Sequence, residues 1–278
     1  MKKTIIRTVG KYRLYDSLQS SDSYIAVDTS TGIKVKLRMH NKGRVEHKSN
    51  IRVINNFKDI RHKNIIPLLD IIEDYGNLWY VREYNEGISL KDYVAKKGKL
   101  DEEETRCILY QLIKAYEELY KRGLIYSPET ENDIFIEESN PPLVKLTDLE
   151  IHCYCYRPSR TPGKIFYNKA DPTAINTQFI GKMVYYMLLG TSSDLEIMQD
   201  STLNKYPIRE DISDACNNFI SRSLQYDGKE CISFKEMKEH PFITEQRVIE
   251  DIKFVEDELR VDTKKAVKFI EGKVKCNE

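Results

Sequence analysis

Several things are scarce in this chain of 278 residues. No apolar run approaches the ~18 residues that a membrane span needs. The opening "MKKTIIRTVGKYRLY" lacks the apolar core of a secretory signal. These absences predict a soluble, intracellular protein, cytoplasmic and/or nuclear, with no membrane partner. There is no excess charge of either sign: Lys+Arg and Asp+Glu both total 44. A dedicated nucleic-acid binder would show a basic excess, so none is expected as partner. Metal-ligand spacing is missing too. Of the six cysteines (Cys107, Cys153, Cys155, Cys216, Cys231, Cys276) only Cys153 and Cys155 are close, with no CxxC motif. Free thiols in a reducing compartment are the expectation. Finally, no glycine lies between Gly10 and Gly32.

What is present changes character along the chain. "YRLYDSL", "SYIAVDT" and "IKVKLRM" are short, β-rich and separated by polar turns. A helix is predicted through "SNIRVINNFKDI", then strands in "NIIPLLDIIED" and "NLWYVREY" joined by a turn at Tyr75-Gly76-Asn77. From Leu90 the period becomes helical. "KLDEEETRCILYQLIKAYEELYKRG" offers Asp101 as a cap with Glu104 three residues on, and Gly123 as a stop. Its stripe Ile108, Leu112, Ala115, Leu119 has core spacing. "AINTQFIGKMVYYMLLG" is apolar nearly all round and must be buried, while "DACNNFISRSLQ" and "SFKEMKEH" are amphipathic. A β-rich segment followed by a helical one predicts an α+β fold.

The order and wording of these segments resemble the eukaryotic protein kinase superfamily over residues 10–243. "TGIKVKLR" is similar to its T-G-x-x-V-A-I-K strand, "LVKLTDLEI" to L-x-K-L-x-D-F-G-x, and "INTQFIGKMVYYMLLG" to D-x-W-S-x-G-x-x-x-Y-x-M-L-x-G. The "HPFI" ending fits as well. The resemblance implies a bilobal fold: a small antiparallel β-rich N-lobe over about 10–84 and a larger helical C-lobe over about 85–243. Residues 244–278 are predicted to form a helical extension, with stripes Val248, Ile252, Val255, Leu259 and Val267, Ile270, Val274. These stripes suit packing on the C-lobe or on a partner.

Carried over residue by residue, the family's working groups are mostly replaced. The phosphate-covering loop depends on glycines, and "LQSSDSYIAV" has none. The phosphate lysine falls on Arg38, or on Lys36 if the register slides by two; in the first register Lys36 stands where the family places a small residue against adenine. The paired glutamate falls on Val53, with Glu46 too far upstream to substitute. The gatekeeper is Arg82. In "YSPETENDIF" the catalytic aspartate becomes Pro128, which has no titratable group; Glu129 and Glu131 are nearby but misplaced. Asp133 and Asp148 occupy the metal-ligand positions, able to hold a cation between two carboxylates, to cap turns, or to pair with Arg38 and Arg82. Lys169-Ala170-Asp171 and Cys231 replace a buttressing glutamate–arginine pair. Phe57, Leu68, Leu149 and Tyr126 keep the apolar stack through the lobes, and Asn176 is expected to hydrogen-bond to backbone.

These replacements imply a pseudokinase, not an enzyme: a scaffold or regulator binding other proteins, with an active kinase or a substrate-delivery complex as candidates. Leu149-Glu150 and the glycine-free loop resemble Tribbles-type pseudokinases, although the tail lacks their Val-Pro-bearing acidic motif. No catalytic residue, metal or cofactor is expected, and Lys36 and Arg82 should enter the adenine cavity paired with Asp148 and Glu150. The alternatives are an atypical active serine/threonine kinase using ATP and Mg²⁺, and an ATP-binding inactive switch.

Overall fold

The computed structural model describes residues 6–17, 22–41, 57–126, 130–149, 153–155, 174–190, 209–224 and 231–244. The predicted helix at 49–60 lies outside these apart from its last four residues. The tail stripes, Glu46, Val53, Pro128, Glu129, Glu150 and residues 169–171 also lie outside.

The fold is that of a bilobal protein kinase, α+β, with a curled antiparallel sheet followed by helices. The sheet runs β1 (Arg7–Val9), β2 (Tyr12–Ser17), β3 (Ser23–Asp28), β4 (Lys34–Asn41), β5 (Leu68–Asp74) and β6 (Asn77–Glu83), in spatial order β1-β2-β3-β4-β6-β5. Successive strand residues face opposite sides, and two apolar clusters follow from that. Leu14, Ala26, Val35, Leu37, Trp79 and Val81 pack on one side of the sheet. Tyr80 and Leu68 face the other side and join the main core. Strand β6 is thus buried on both faces, and the side shared by Tyr80 and Arg82 looks toward the second lobe. Tyr75 (φ 44°) and Gly76 (φ 77°) make the tight turn between β5 and β6; glycine suits that left-handed geometry.

β7 (Ile88–Ser89) leads into α1 (Leu90–Lys97), and α2 (Glu102–Lys121) is the central helix of the C-lobe. Its stripe Ile108, Leu112, Ala115, Leu119 is completely buried, as the spacing predicts. Asp101 caps α2 by accepting from the Glu104 amide at 2.8 Å. The Glu104 carboxylate does not return to the cap; it accepts from Lys97 Nζ at 2.6 Å and from the Tyr93 hydroxyl. A full positive charge outcompetes a neutral cap amide for it.

The remaining elements are β8 (Leu124–Tyr126), a 3-10 turn (Glu131–Asp133), β9 (Ile134–Glu137), β10 (Leu143–Leu146), β11 (Cys153–Cys155), α3 (Ala174–Leu189), α4 (Asp214–Ser223), α5 (Phe234–Glu239) and α6 (Pro241–Thr244). Two small sheets, β10-β9-β7 and β11-β8, line the C-lobe beneath the N-lobe. α3 lies against α4 so closely that a Cβ at Gly181 would come within 2.6 Å of Ser223 Cβ.

The lobes are stapled beside β10. Leu146 N–H donates to Asn64 O at 2.8 Å, and Ile66 N–H donates to Leu146 O at 2.9 Å. Asn64 Nδ2 adds bonds to Gln111 Oε1 and Val144 O, both 2.8 Å. Residues just beyond β10 are therefore held at the lobe boundary. Cys107, Cys153, Cys216 and Cys231 form no disulfide with one another. Among the described residues, no helix is long and apolar enough to cross a membrane.

Candidate active site in the interlobe cleft

Strand alternation places Lys36, Arg38 and His40 on one face of β4, opposite Val35 and Leu37. Arg82 on β6 is the register partner of Lys36. All four side chains sit on the side of the sheet away from the apolar N-lobe cluster. Asp148 rises from the C-lobe to meet them, two residues after β10, with φ 56°. Aspartate tolerates that left-handed region better than most residues.

Asp148 is the shared acceptor. Arg38 Nη1 donates to its Oδ2 at 2.6 Å, and Arg82 Nη1 donates to its Oδ1. The Arg82 side chain is 2% exposed and that of Asp148 7%. A buried charge is very costly unless paired and hydrogen-bonded, so these groups stand or fall together. Burial lowers the Arg82 pKa and the Asp148 carboxylate opposes the shift; the guanidinium stays protonated.

Lys36 departs from expectation. Among the described residues it makes no ion pair, and its ammonium lies 5.1 Å from the ring centroid of Phe135 on β9. The carboxylate is already claimed by two arginines, so the lysine turns to the π-face of the opposite lobe. Burial lowers its pKa; Asp148 opposes this, while Arg82 and Arg38 add to it. His40 packs edge-on to Tyr80 at 5.5 Å. Its pKa is lowered by burial first, then by Arg38 and Arg82.

Asp133 sits in the turn before β9. Its Oδ2 accepts from Thr130 N–H at 2.9 Å, closing a capping box with the Thr130 side chain. Asp133 and Asp148 are the carboxylates that would hold Mg²⁺. Both oxygens of Asp148 face guanidinium groups, however, and a dication placed there would meet two like charges. The residues in this arrangement do not fit a divalent ion. Among the described residues no group of three or more His, Cys, Asp or Glu could hold one either.

Phe57, Leu68, Tyr126 and Leu149 are all buried in the main core. Tyr126 does more than fill space: its hydroxyl lies 3.2 Å from both Asp133 O and Thr147 O, which share its single proton as acceptors. It thereby ties the backbone beside both acidic positions, a role hidden in the sequence by its reading as a packing residue. Asn176 is also placed differently from expectation. Its Nδ2 donates to the Tyr120 hydroxyl instead of to backbone, because α3 runs alongside α2. Cys231 Sγ lies 3.7 Å from Thr177 Oγ1, where a salt bridge would stand in the family pattern.

Comparison with known proteins agrees with this geometry. The protein kinase domain model matches residues 19–243, well over half of the chain. The SNF1-related protein kinase catalytic subunit alpha KIN12 of Arabidopsis thaliana is 23% identical over 238 residues, covering 78% of this chain and 48% of that protein. The SNF-related serine/threonine-protein kinase of Homo sapiens is 24% identical over 235 residues, covering 77% and 30%. Sperm motility kinase 2B of Mus musculus is 25% identical over 201 residues, covering 66% and 41%. The chain spans less than half the length of these curated relatives. It belongs to the protein kinase domain family.

The expectation that the chain is not an enzyme is thereby overturned. The kinase-domain match and the serine/threonine-kinase relatives point to a protein kinase enzyme. That expectation rested on several replaced groups together: the glycine-free loop, Arg38, Val53, Arg82 and Pro128. General-base help is worth about 10²–10⁴-fold, a fraction of what positioning and electrostatics supply in phosphoryl transfer.

Proposed function

We propose that the chain is an atypical, slow serine/threonine protein kinase whose cleft works with arginine charge. One observation carries the reading: Arg38, at the phosphate-lysine position, lies 2.6 Å from Asp148, the retained acidic position. Two groups that a kinase needs at the transferred phosphate converge from different lobes. The bond from the γ-phosphorus to the β-phosphate oxygen breaks, a bond to a serine or threonine oxygen forms, and the hydroxyl proton leaves to solvent. Guanidinium groups stabilise charge on the departing and transferring oxygens. Without an aspartate at position 128, the rate falls by about 10²–10⁴-fold relative to a kinase that has its base.

The test is incorporation of labelled γ-phosphate into the chain or a generic protein substrate, followed by phosphoamino-acid analysis. Label on serine or threonine, reduced by Arg38→Ala, is expected. No label, or label equal in the variant, overturns the reading.

A second reading, a regulator acting by binding other proteins, is favoured by Pro128 at the base position. Under it the closed Arg82–Asp148–Arg38 cluster holds the lobes in a fixed relation for a partner. Captured partners lost on Asp148→Asn, with no label transferred, would support it.

A further inference from the structure

The short helix α6 hangs on one side chain. Its first residue, Pro241, has no N–H to donate. Phe242 N–H donates to the ring nitrogen Nδ1 of His240 at 3.2 Å. The amides of Ile243 and Thr244 donate to the His240 carbonyl at 2.8 and 3.1 Å. The first N–H groups of a helix have no partner within it, and α6 is too short to have others. The second ring nitrogen, Nε2, lies 3.0 Å from Asn218 Oδ1 on α4, and the ring meets Phe219 edge-on at 5.2 Å. An imidazole that accepts at Nδ1 carries its proton at Nε2, so Nε2–H donates to Asn218 and one neutral tautomer is fixed. His240, Phe242 and Ile243 are all buried. The Phe242 ring packs 5.5 Å from that of Phe219, and Arg106 of α2 lies over it at 5.0 Å.

We propose that His240 is an acid-sensitive clasp: protonation at Nδ1 breaks the bond from Phe242 N–H and releases α6 from α2 and α4. The proton comes from solvent and takes the lone pair that had accepted from Phe242, while Nε2–H keeps its bond to Asn218. Two N–H donors then face each other, and a buried donor without an acceptor is destabilising. The charged groups of the packed helices are committed elsewhere. Arg222 of α4 pairs with Glu236 of α5, Arg106 of α2 pairs with Glu102, and Glu117 of α2 pairs with Lys238 of α5. Lys235 and Glu239 of α5 are exposed, and α6 itself carries no charged side chain. Burial first, and Arg222 second, lower the His240 pKa from an ordinary 6.5. A histidine depressed in the folded state contributes stability that is whole above its unfolded pKa and is lost as pH falls through the folded one. The window therefore opens below 6.5. Release uncovers Phe219 and the face of α2 beneath Phe242. The clasp is independent of phosphoryl transfer and holds whether or not the chain is active.

The experiment is backbone amide exchange of the full chain, read by NMR at about pH 7.5 and about pH 5.5 and corrected for intrinsic rates. Protection of Phe242, Ile243 and Thr244 should fall by at least about threefold at the lower pH, out of the roughly tenfold that an ordinary histidine allows one unit below its pKa. Leu112 and Ala115 in α2 should keep their protection. His240→Asn offers Oδ1 where Nδ1 accepted and takes up no proton, so its α6 amides should be equally protected at both pH values. A smaller fall in wild type, an equal fall in α2, or the same fall in His240→Asn overturns the proposal. Should the variant fail to fold, the wild-type ring decides. Its nitrogen shifts should show the neutral Nε2–H form, titrating below 6.5. A proton on Nδ1 in the neutral ring, or titration at or above that value, overturns the clasp.

Discussion

Arg82 and Asp148, 66 positions apart in the chain, meet as a buried ion pair between the lobes, and Arg38 completes the cluster on the second carboxylate oxygen. One acid serving two guanidinium groups makes the energetics asymmetric. Removing one arginine leaves Asp148 with the other. Removing the acid leaves two buried cations with no neutralising charge between them.

Asp148→Asn should therefore destabilise the protein by about 3–5 kcal/mol, the range for breaking a buried pair by removing one partner. Arg82→Met, which substitutes an apolar side chain of similar length and leaves Arg38 on the acid, should cost less, about 1–2 kcal/mol. Urea unfolding of both variants gives the comparison. An Arg82→Met cost equal to or above that of Asp148→Asn would mean that the cluster does not share its charge in this way.

Lys36 should behave in the opposite sense. Lys36 is half-buried, and its ammonium has an aromatic face in place of a carboxylate. Losing the cation–π contact costs about 0.5–1 kcal/mol, while removing a partly desolvated cation beside Arg82 and Arg38 returns more. Lys36→Met is expected to raise the melting temperature. A lower melting temperature would show that the lysine is stabilising where it lies.

The N-lobe carries a pH signature remote from the cleft. Asp28 accepts from Ser30 N–H at 2.9 Å and Ser30 Oγ at 2.6 Å, and Lys11 Nζ lies 2.8 Å from its other oxygen. The Lys11 hydrogen bond, followed by that of Ser30, holds its carboxyl down to about 2 from an ordinary 3.8. A depressed acid stabilises the fold fully above its unfolded pKa and loses that contribution as pH falls through its folded one. The stability difference between wild type and Asp28→Asn should thus shrink from about pH 4 to about pH 2. Carboxyl NMR showing Asp28 titrating near 3.8 would remove the basis for this.

Much of this was legible in the sequence because alternation and burial are local rules. Placing Arg82 on a strand with Trp79, Tyr80 and Val81 puts it inside, and an inside arginine needs an acid. Lys36 obeys the same alternation, yet its partner was hidden. Phe135 lies in the other lobe, and nothing in the spacing distinguishes a cation that finds an acid from one that settles on a ring. The Tyr126 hydroxyl was obscured for a related reason. A tyrosine in an apolar stack reads as packing, and only three-dimensional placement shows which carbonyls its oxygen meets. The inactive reading failed differently: the replacements at Arg38, Val53, Arg82 and Pro128 are read correctly as residues, but the kinase-domain match and the serine/threonine-kinase relatives point to an enzyme.

The most direct measurement is the single-turnover rate of label transfer from γ-labelled ATP by wild type, Arg82→Met and Asp148→Asn, each checked for folding. The account predicts slow but measurable transfer by wild type, weaker transfer by Arg82→Met, and loss in Asp148→Asn. No transfer by wild type, or undiminished transfer after Asp148 is neutralised, would contradict it.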